Sequence, residues 1–336
     1  MKLNNLKEVL KNEPKYRLKQ AEEAVFKSLI SDWSQAVYLP PKLRETLGKE
    51  CPLEVGGEVI GSDEEVLKAL ITLDDGLKIE SVLMKHEGGR STVCVSSQVG
   101  CPMKCGFCAT GAMGFSRNLT EDEIIGQVLF FARYLKSHGE ERITNVVFMG
   151  MGEPFLNYGN VLSSIRILND KDGLNIGARK ISISTSGIIE GIEKLAEENL
   201  QVNLAISLHA PYDELRSKLM PVNIKYPLKN VLSAVDNYIK KTSRQVMFEY
   251  LMLRGVNDSK EDAEKLSKLM DKPLYFVNLI IYNLTGKEGM EPSSHNSVRK
   301  FKEILEKAGV PVSQRYHFGG EINAACGQLT GKAGLQ

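Results

Sequence analysis

From Thr120 onward, short apolar runs alternate with amphipathic stretches, a pattern that predicts strands joined by helices. Residues 143–149, 180–185, 202–208, 245–253, 274–282 and 310–315 read as strands. Thr120-Glu-Asp-Glu123 is a capping-box sequence, and Ile124, Ile125, Val128, Leu129 and Ala132 continue it along one helical face. Further helices are expected near 161–168, 188–198, 228–240, 260–270 and 297–307. Strands alternating with helices imply a parallel sheet with right-handed crossovers. Six such units predict an α/β fold, an incomplete (βα)6 barrel or strongly curved sheet. Chemistry in such a fold sits at the C-terminal strand ends.

The first part of the chain follows another pattern. Residues 1–50 read as short helices: 15–30 puts Ala21, Val25, Phe26 and Leu29 on one stripe, and Pro40-Pro41 breaks it. Residues 52–84 alternate and look β-rich, ending in a strand at 79–84. Gly88-Gly89 then turns the chain into a strand at 92–98. Three segments follow: an N-terminal helical accessory domain (1–50), a β-rich extension (51–90) and a catalytic domain (91–336).

Composition narrows the class only a little. The chain has 336 residues, 42% hydrophobic and 25% charged, ordinary for a soluble globular protein. The absence of a long apolar run or leader-like start argues against a membrane or secreted protein. Cysteine spacing does not suggest a disulfide framework, so a reducing cytoplasm is expected. Net charge is +1, so a phosphate-binding surface would have to be local, with a mild basic excess in residues 1–50.

The chemistry is concentrated in Cys101-Pro-Met-Lys-Cys105-Gly-Phe-Cys108. Four-iron clusters are normally held by four thiolates; a loop with three leaves one iron open to a small molecule. Structural zinc would need a second C-x2-C pair or nearby histidines, and neither is evident. The motif resembles that of the radical S-adenosylmethionine (SAM) enzymes, down to Phe107. This resemblance implies a [4Fe-4S] cluster on Cys101, Cys105 and Cys108, and a partial (βα)6 radical SAM barrel. Gly150-Met151-Gly152-Glu153-Pro154, just after a strand, resembles the family's segment for the SAM amino group. Ser184, Ser207-Leu208-His209 and Asn283 end later strands. Capping is the usual reading of one such residue; several at successive strand ends fit a ligand rim.

Cys94 and Cys326 lie outside that loop. Lone intracellular cysteines are mostly small buried hydrophobes, as expected for Cys51. Cys326 differs, flanked by Ala324, Ala325 and Gly327. Cys94-Val-Ser-Ser-Gln-Val-Gly-Cys101, Gly150–Pro154, Ser207-Leu-His-Ala-Pro211 and Ala325-Cys-Gly-Gln-Leu329 together resemble the dual-specificity RNA adenine-C2 methyltransferases, over nearly the whole chain. The resemblance implies SAM contacts from Gly152, Glu153, Ser184, Ser207, Leu208, His209 and Asn283. It makes Cys326 the methyl-carrying cysteine, Cys94 its resolving partner and Glu80 the base, with Glu87 as rival; Met149 would help position the reacting groups. It also implies two SAM per turnover, 23S rRNA and adenine 37 of tRNA as substrates, a flavodoxin- or ferredoxin-like donor and a monomer. The chemistry agrees: adenine C2 is electron-poor and has no lone pair, so a thiolate takes the methyl first and a radical completes the transfer. Lys104, Arg117, the 85–90 turn, Lys15, Arg17 and Lys19 are candidate phosphate contacts. The rivals are C8 methylation of the same RNA, a thiolation, or an RNA-binding protein with a structural metal.

Overall fold

The computed structural model describes residues 1–331 except 64, 288 and 316–321. Its centre is one ten-stranded sheet. Strands β1 (Gly57–Ser62), β2 (Val66–Thr72), β3 (Lys78–His86) and β4 (Arg90–Cys94) pair antiparallel in sequence order. From β4 onward pairing is parallel, through β7 (Asn145–Phe148), β8 (Ile181–Thr185), β9 (Asn203–Ser207), β10 (Val246–Met252), β11 (Tyr275–Ile281) and β12 (Val312–Gln314). Residues 57–86 therefore extend the barrel sheet itself. A separate hairpin of β5 (Gln98–Gly100) and β6 (Phe115–Asn118) brackets the cysteine loop and the short α4 (Ala109–Ala112). Gly100 has φ +77°, and a Cβ there would stand 2.0 Å from the Gly114 carbonyl oxygen, so this closure requires glycine.

Helices cover the sheet where the periodicity placed them. They are α5 (Glu121–Ser137), α6 (Tyr158–Asn169), α7 (Ile189–Glu197), α9 (Leu228–Thr242), α10 (Lys260–Leu269) and α11 (His295–Lys307). The capping box forms at α5, with Thr120 and Glu123 bonding each other's backbone N–H. β10 and β11 are buried at nearly every position, as expected of parallel strands covered on both faces. At the N-terminus, α1 (Leu6–Val9), α2 (Lys15–Phe26) and α3 (Pro41–Glu50) enclose Trp33, whose indole N–H donates to the Cys51 carbonyl at 2.7 Å. Cys51 is a core residue, its thiol pushed up to about 11 chiefly by burial. Arg133 of α5 donates to the carbonyls of Leu53 and Ile30 and fastens this bundle to the barrel.

Three elements differ from expectation. The helix expected over 15–30 ends at Phe26, because Leu29 turns left-handed at φ 52°. The single strand expected over 92–98 breaks after Cys94. There the N–H groups of Ser97 and Gln98 leave the sheet to bond the Met151 carbonyl. The short α8 (Asp213–Leu219) was not anticipated. Among the described residues no helix is long and apolar enough to cross a membrane.

Candidate active site at the strand ends

β4 delivers both sulfur sites. Cys94 pairs with Val82 across β3–β4 and shares its face of the sheet. The chain then crosses over Gly150–Glu153, where the Glu153 N–H donates to Gln98 Oε1 at 2.9 Å. Gly152 sits at φ +104°, and a Cβ there would lie 2.6 Å from the Gln98 side chain. The glycines of this segment thus serve its close approach to the cysteine loop.

Cys101, Cys105 and Cys108 line one cleft of about 980 Å³, together with Gly152, Glu153, Ser184, Ser207 and His209. Burial pushes the Cys101 thiol up to about 12. Burial first, then the sulfurs of Cys108 and Cys101, hold Cys105 well above the usual thiol range. Such thiols ionise together only around a cation. Among the described residues no three His, Cys, Asp or Glu converge on a single metal ion.

The strand-end side chains are held in fixed orientations. Glu153 Oε2 accepts from Ser186 N–H and Oγ–H, both at 2.7 Å, and Oε1 accepts from Phe155 N–H at 3.0 Å. Burial raises its carboxyl while these bonds oppose the shift. Ser184 donates to Glu249 at 2.7 Å and lies 3.4 Å from Ser207. His209 Nδ1 accepts from Leu251 N–H at 3.0 Å, leaving Nε2 to carry the proton. Burial, with Arg216 nearby, depresses the imidazole to about 3, so it is neutral. Phe107 packs edge-on against the ring. Leu208 does not line the cleft: its side chain is buried, its N–H bonds the Glu249 carbonyl, and its own carbonyl accepts from Arg216.

Cys326 borders this cleft and also a second, smaller cavity, which Cys94, Val82, Met84, Asn283 and Arg315 line. Met149 borders both cavities. Arg315 donates to Cys326 Sγ at 3.2 Å. Burial, then the Cys326 sulfur, pushes Cys94 up to about 12. Asn283 donates weakly to the Cys326 carbonyl at 3.4 Å, while its buried Oδ1 has no partner among the described residues. An orphaned acceptor at this rim is what a bound ligand would satisfy. The Cys326 loop is stitched to the cysteine loop: Ala109 N–H donates to Gly327 O and Thr110 Oγ1 to Leu329 O, both at 2.7 Å.

The other candidates lie elsewhere. Glu80 is fully buried, lines neither cavity and accepts from Thr330 N–H at 2.9 Å. Glu87 is exposed on the turn after β3. Arg117 is no free phosphate contact, since Asp75 and Glu123 hold its guanidinium; Lys85 pairs with Glu140 at 2.7 Å. Sequence reasoning missed Glu249, Arg216, Arg315 and Lys68. Glu249 had a signal: a carboxylate within the apolar run Val246–Met252.

The radical SAM superfamily model matches residues 95–267. The chain is 48% identical to the "Probable dual-specificity RNA methyltransferase RlmN" of Carboxydothermus hydrogenoformans, over 96% of this chain and 93% of that protein. The chain belongs to that radical SAM family. A relative in Nitrosopumilus maritimus, "Ribosomal RNA large subunit methyltransferase N", is 45% identical over 94% of this chain and 92% of its own length. The crystal structure of a radical SAM methyltransferase from Sphaerobacter thermophilus superposes with a TM-score of 0.94 at 42% identity, covering 99% of this chain and 98% of that one. As a radical SAM enzyme the chain uses a [4Fe-4S] cluster and SAM, and the three-thiol cleft, lined also by Glu153, Ser184, Ser207 and His209, fits both.

Proposed function

We propose that this chain methylates C2 of an adenine in RNA, in 23S rRNA and at adenine 37 of tRNA, with Cys326 carrying the methyl group in transit. The observation that carries the reading is the double exposure of Cys326. One residue borders the cluster cleft on one side and the Cys94 cavity on the other. A C8-methylating enzyme is not favoured, because relatives such as that of Carboxydothermus hydrogenoformans carry the dual-specificity name.

In this reading Cys101, Cys105 and Cys108 hold the cluster, and Gly152, Glu153, Ser184, Ser207, His209 and Asn283 bind SAM. Leu208 serves by fixing the strand-end backbone. When bound, the reduced cluster supplies the electron that splits SAM and generates a 5′-deoxyadenosyl radical. Cys326 first acts as a thiolate nucleophile toward the methyl group of one SAM, which would leave as S-adenosylhomocysteine, with Arg315 as counter-charge to the thiolate. Glu153 fixes the ammonium of SAM, and neutral His209 offers Nε2–H without adding charge. The 5′-deoxyadenosyl radical would take a hydrogen atom from the S-methyl group, the resulting carbon radical would add to adenine C2, and the adduct would return one electron to the oxidised cluster, leaving protein and RNA covalently linked. Glu80 takes the C2 proton after leaving Thr330. Cys94, as a thiolate, then attacks the Cys326 sulfur and breaks its bond to the methylene carbon; the disulfide forms, and that carbon takes up a proton to become the C2 methyl group of the released RNA. The target adenine must be extruded from its stack to reach Cys326. Residues 1–50 act as an RNA-binding accessory domain, a flavodoxin- or ferredoxin-type donor supplies electrons, and the chain works as a monomer.

The test is a pair of variants. Cys94→Ala accumulates a covalent protein–RNA adduct on denaturing gels, whereas Cys326→Ala gives neither adduct nor 2-methyladenosine by nucleoside mass spectrometry. Normal turnover by Cys94→Ala, or 8-methyladenosine as sole product, overturns the reading.

A further inference from the structure

The loop that carries Cys326 is anchored at both ends by one buried ion pair. Lys68 Nζ donates to the Asn323 carbonyl at 3.2 Å, and Glu80 Oε2 accepts from Thr330 N–H at 2.9 Å. The two side chains lie 3.5 Å apart, exposed by 6% and 0%. They occupy diagonal positions on one face of β2–β3: Lys68 stands opposite Val82, and Glu80 opposite Leu70. Val82 and Met84 continue that face into the wall of the Cys94 cavity.

A buried ion pair is a costly element, since apolar residues of similar volume often stabilise a fold as well or better. This pair is also imperfect as a pair. Glu80 Oε1 has no hydrogen-bond partner among the described residues, and the lysine approaches the Asn323 carbonyl more closely than the carboxylate. What each group does well is hold loop backbone. The anchored residues bracket Cys326, Asn323 before it and Thr330 after it. Nearby, Gly61 comes against Ile322, and Gly331 against the Lys78 carbonyl. The extension β1–β3 thus meets the far end of the curved sheet through this loop.

We propose that Lys68 and Glu80 form a clamp that sets where the Cys326 sulfur sits between the two cavities, making Lys68 a positioning residue for the methyl transfer. This rests on the proposed role of Cys326. It also gives Glu80 two states: closed on Thr330, and open when it serves as base. Lys68 is the partner that keeps the carboxylate on the loop in the first state.

Hydrogen exchange of the cluster-loaded protein, read by mass spectrometry on a peptide spanning residues 322–331, tests the clamp directly. Lys68→Met should speed exchange in that peptide. Formation of S-methyl-Cys326 from SAM should fall by about tenfold or more, since a small displacement of a reacting group costs rate steeply. Lys68→Arg, which can reach the same carbonyl, should restore both. The double variant Lys68→Met/Glu80→Gln removes the charges together, so its exchange can be read even where the single variant unfolds. Unchanged exchange in folded Lys68→Met, or in the folded double variant, overturns the clamp. If wild-type Cys326 never acquires a methyl group, the proposed function fails instead, and the exchange measurement still judges the clamp by itself.

Discussion

Removing the Arg315 guanidinium should slow alkylation of Cys326 severalfold. Arg315 donates to the sulfur at 3.2 Å and, among the described residues, pairs with no carboxylate. The Cys326 sulfur is the first cause holding its guanidinium above the usual range, against burial, with Glu249 and Cys94 adding less. A hydrogen bond to a charged group contributes about 1.5–3 kcal/mol. At about 1.4 kcal/mol per decade, that bond stabilises negative charge on the sulfur by roughly ten- to hundredfold. Only part of that charge is kept at the transition state for alkylation, with a slope of about 0.4–0.5, so Arg315→Met should show about four- to tenfold in the rate. The assay is the pH dependence of iodoacetamide capture at Cys326, followed by peptide mass spectrometry on unmethylated protein. Arg315→Lys, which keeps the charge but loses the planar fork, should fall between. A folded Arg315→Met that reacts within twofold of wild type from neutral to alkaline pH refutes the assignment.

Two other predictions concern the strand-end scaffold. Arg216 is fully buried and donates to Leu208, Ser186, Ser207 and Tyr226 carbonyls and to Asn223 Oδ1. Arg216→Met should therefore destabilise by more than about 3 kcal/mol in denaturant titrations, and Arg216→Lys should rescue little because a point charge cannot reproduce the fork; a loss under about 1 kcal/mol would exclude this clasp role. His209 is depressed to about 3 in the fold, so below an unfolded value of about 6.5 the unfolded chain takes up the proton first. Its contribution is intact above about pH 6.5 and is lost progressively toward pH 3, about 2 kcal/mol by pH 5 at 1.36 kcal/mol per unit. His209→Gln should lack that acid loss, and parallel stability–pH curves for the two proteins would contradict it.

The barrel was legible because its information is local. Each strand from β7 to β12 falls within a run marked by apolar residues, and the Thr120–Glu123 box fixed the start of α5. The cysteine loop was legible for a similar reason: three thiols in a short stretch can hardly avoid one another. What stayed hidden is long-range. Lys68 and Asn323 meet only because the curved sheet brings β2 to the loop after β12. The pairing of Arg315 with Cys326 depends on the same closure, and nothing in Gln314-Arg315 announces it. Arg216 is an ordinary-looking residue of a short polar helix. Only the folded chain shows that it collects carbonyls from the ends of β8 and β9. Arg117 failed as a phosphate contact because Asp75, on the turn between β2 and β3, lies beside it.

The charges around the two outlying cysteines favour one order of events. Burial is the main reason the Cys94 thiol sits at about 12, and the Cys326 sulfur is the next. Two thiolates in one small cavity oppose each other, so while Cys326 is anionic, Cys94 stays protonated and cannot attack. Arg315 acts on both sulfurs but bonds Cys326. Methylation changes that balance. A thioether carries no charge, so the repulsion on Cys94 disappears and the guanidinium loses its anionic partner. Arg315 then favours ionisation of Cys94 at the stage when a resolving nucleophile is needed. In the proposed reaction Cys94 is thus held back by the same sulfur that it later attacks. Cys94 should react with a small alkylating reagent faster in protein whose Cys326 is methylated than in unmethylated protein, and Arg315→Met should abolish the difference. Equal reactivity in both methylation states would mean that burial alone restrains Cys94, and that the order of steps is set elsewhere.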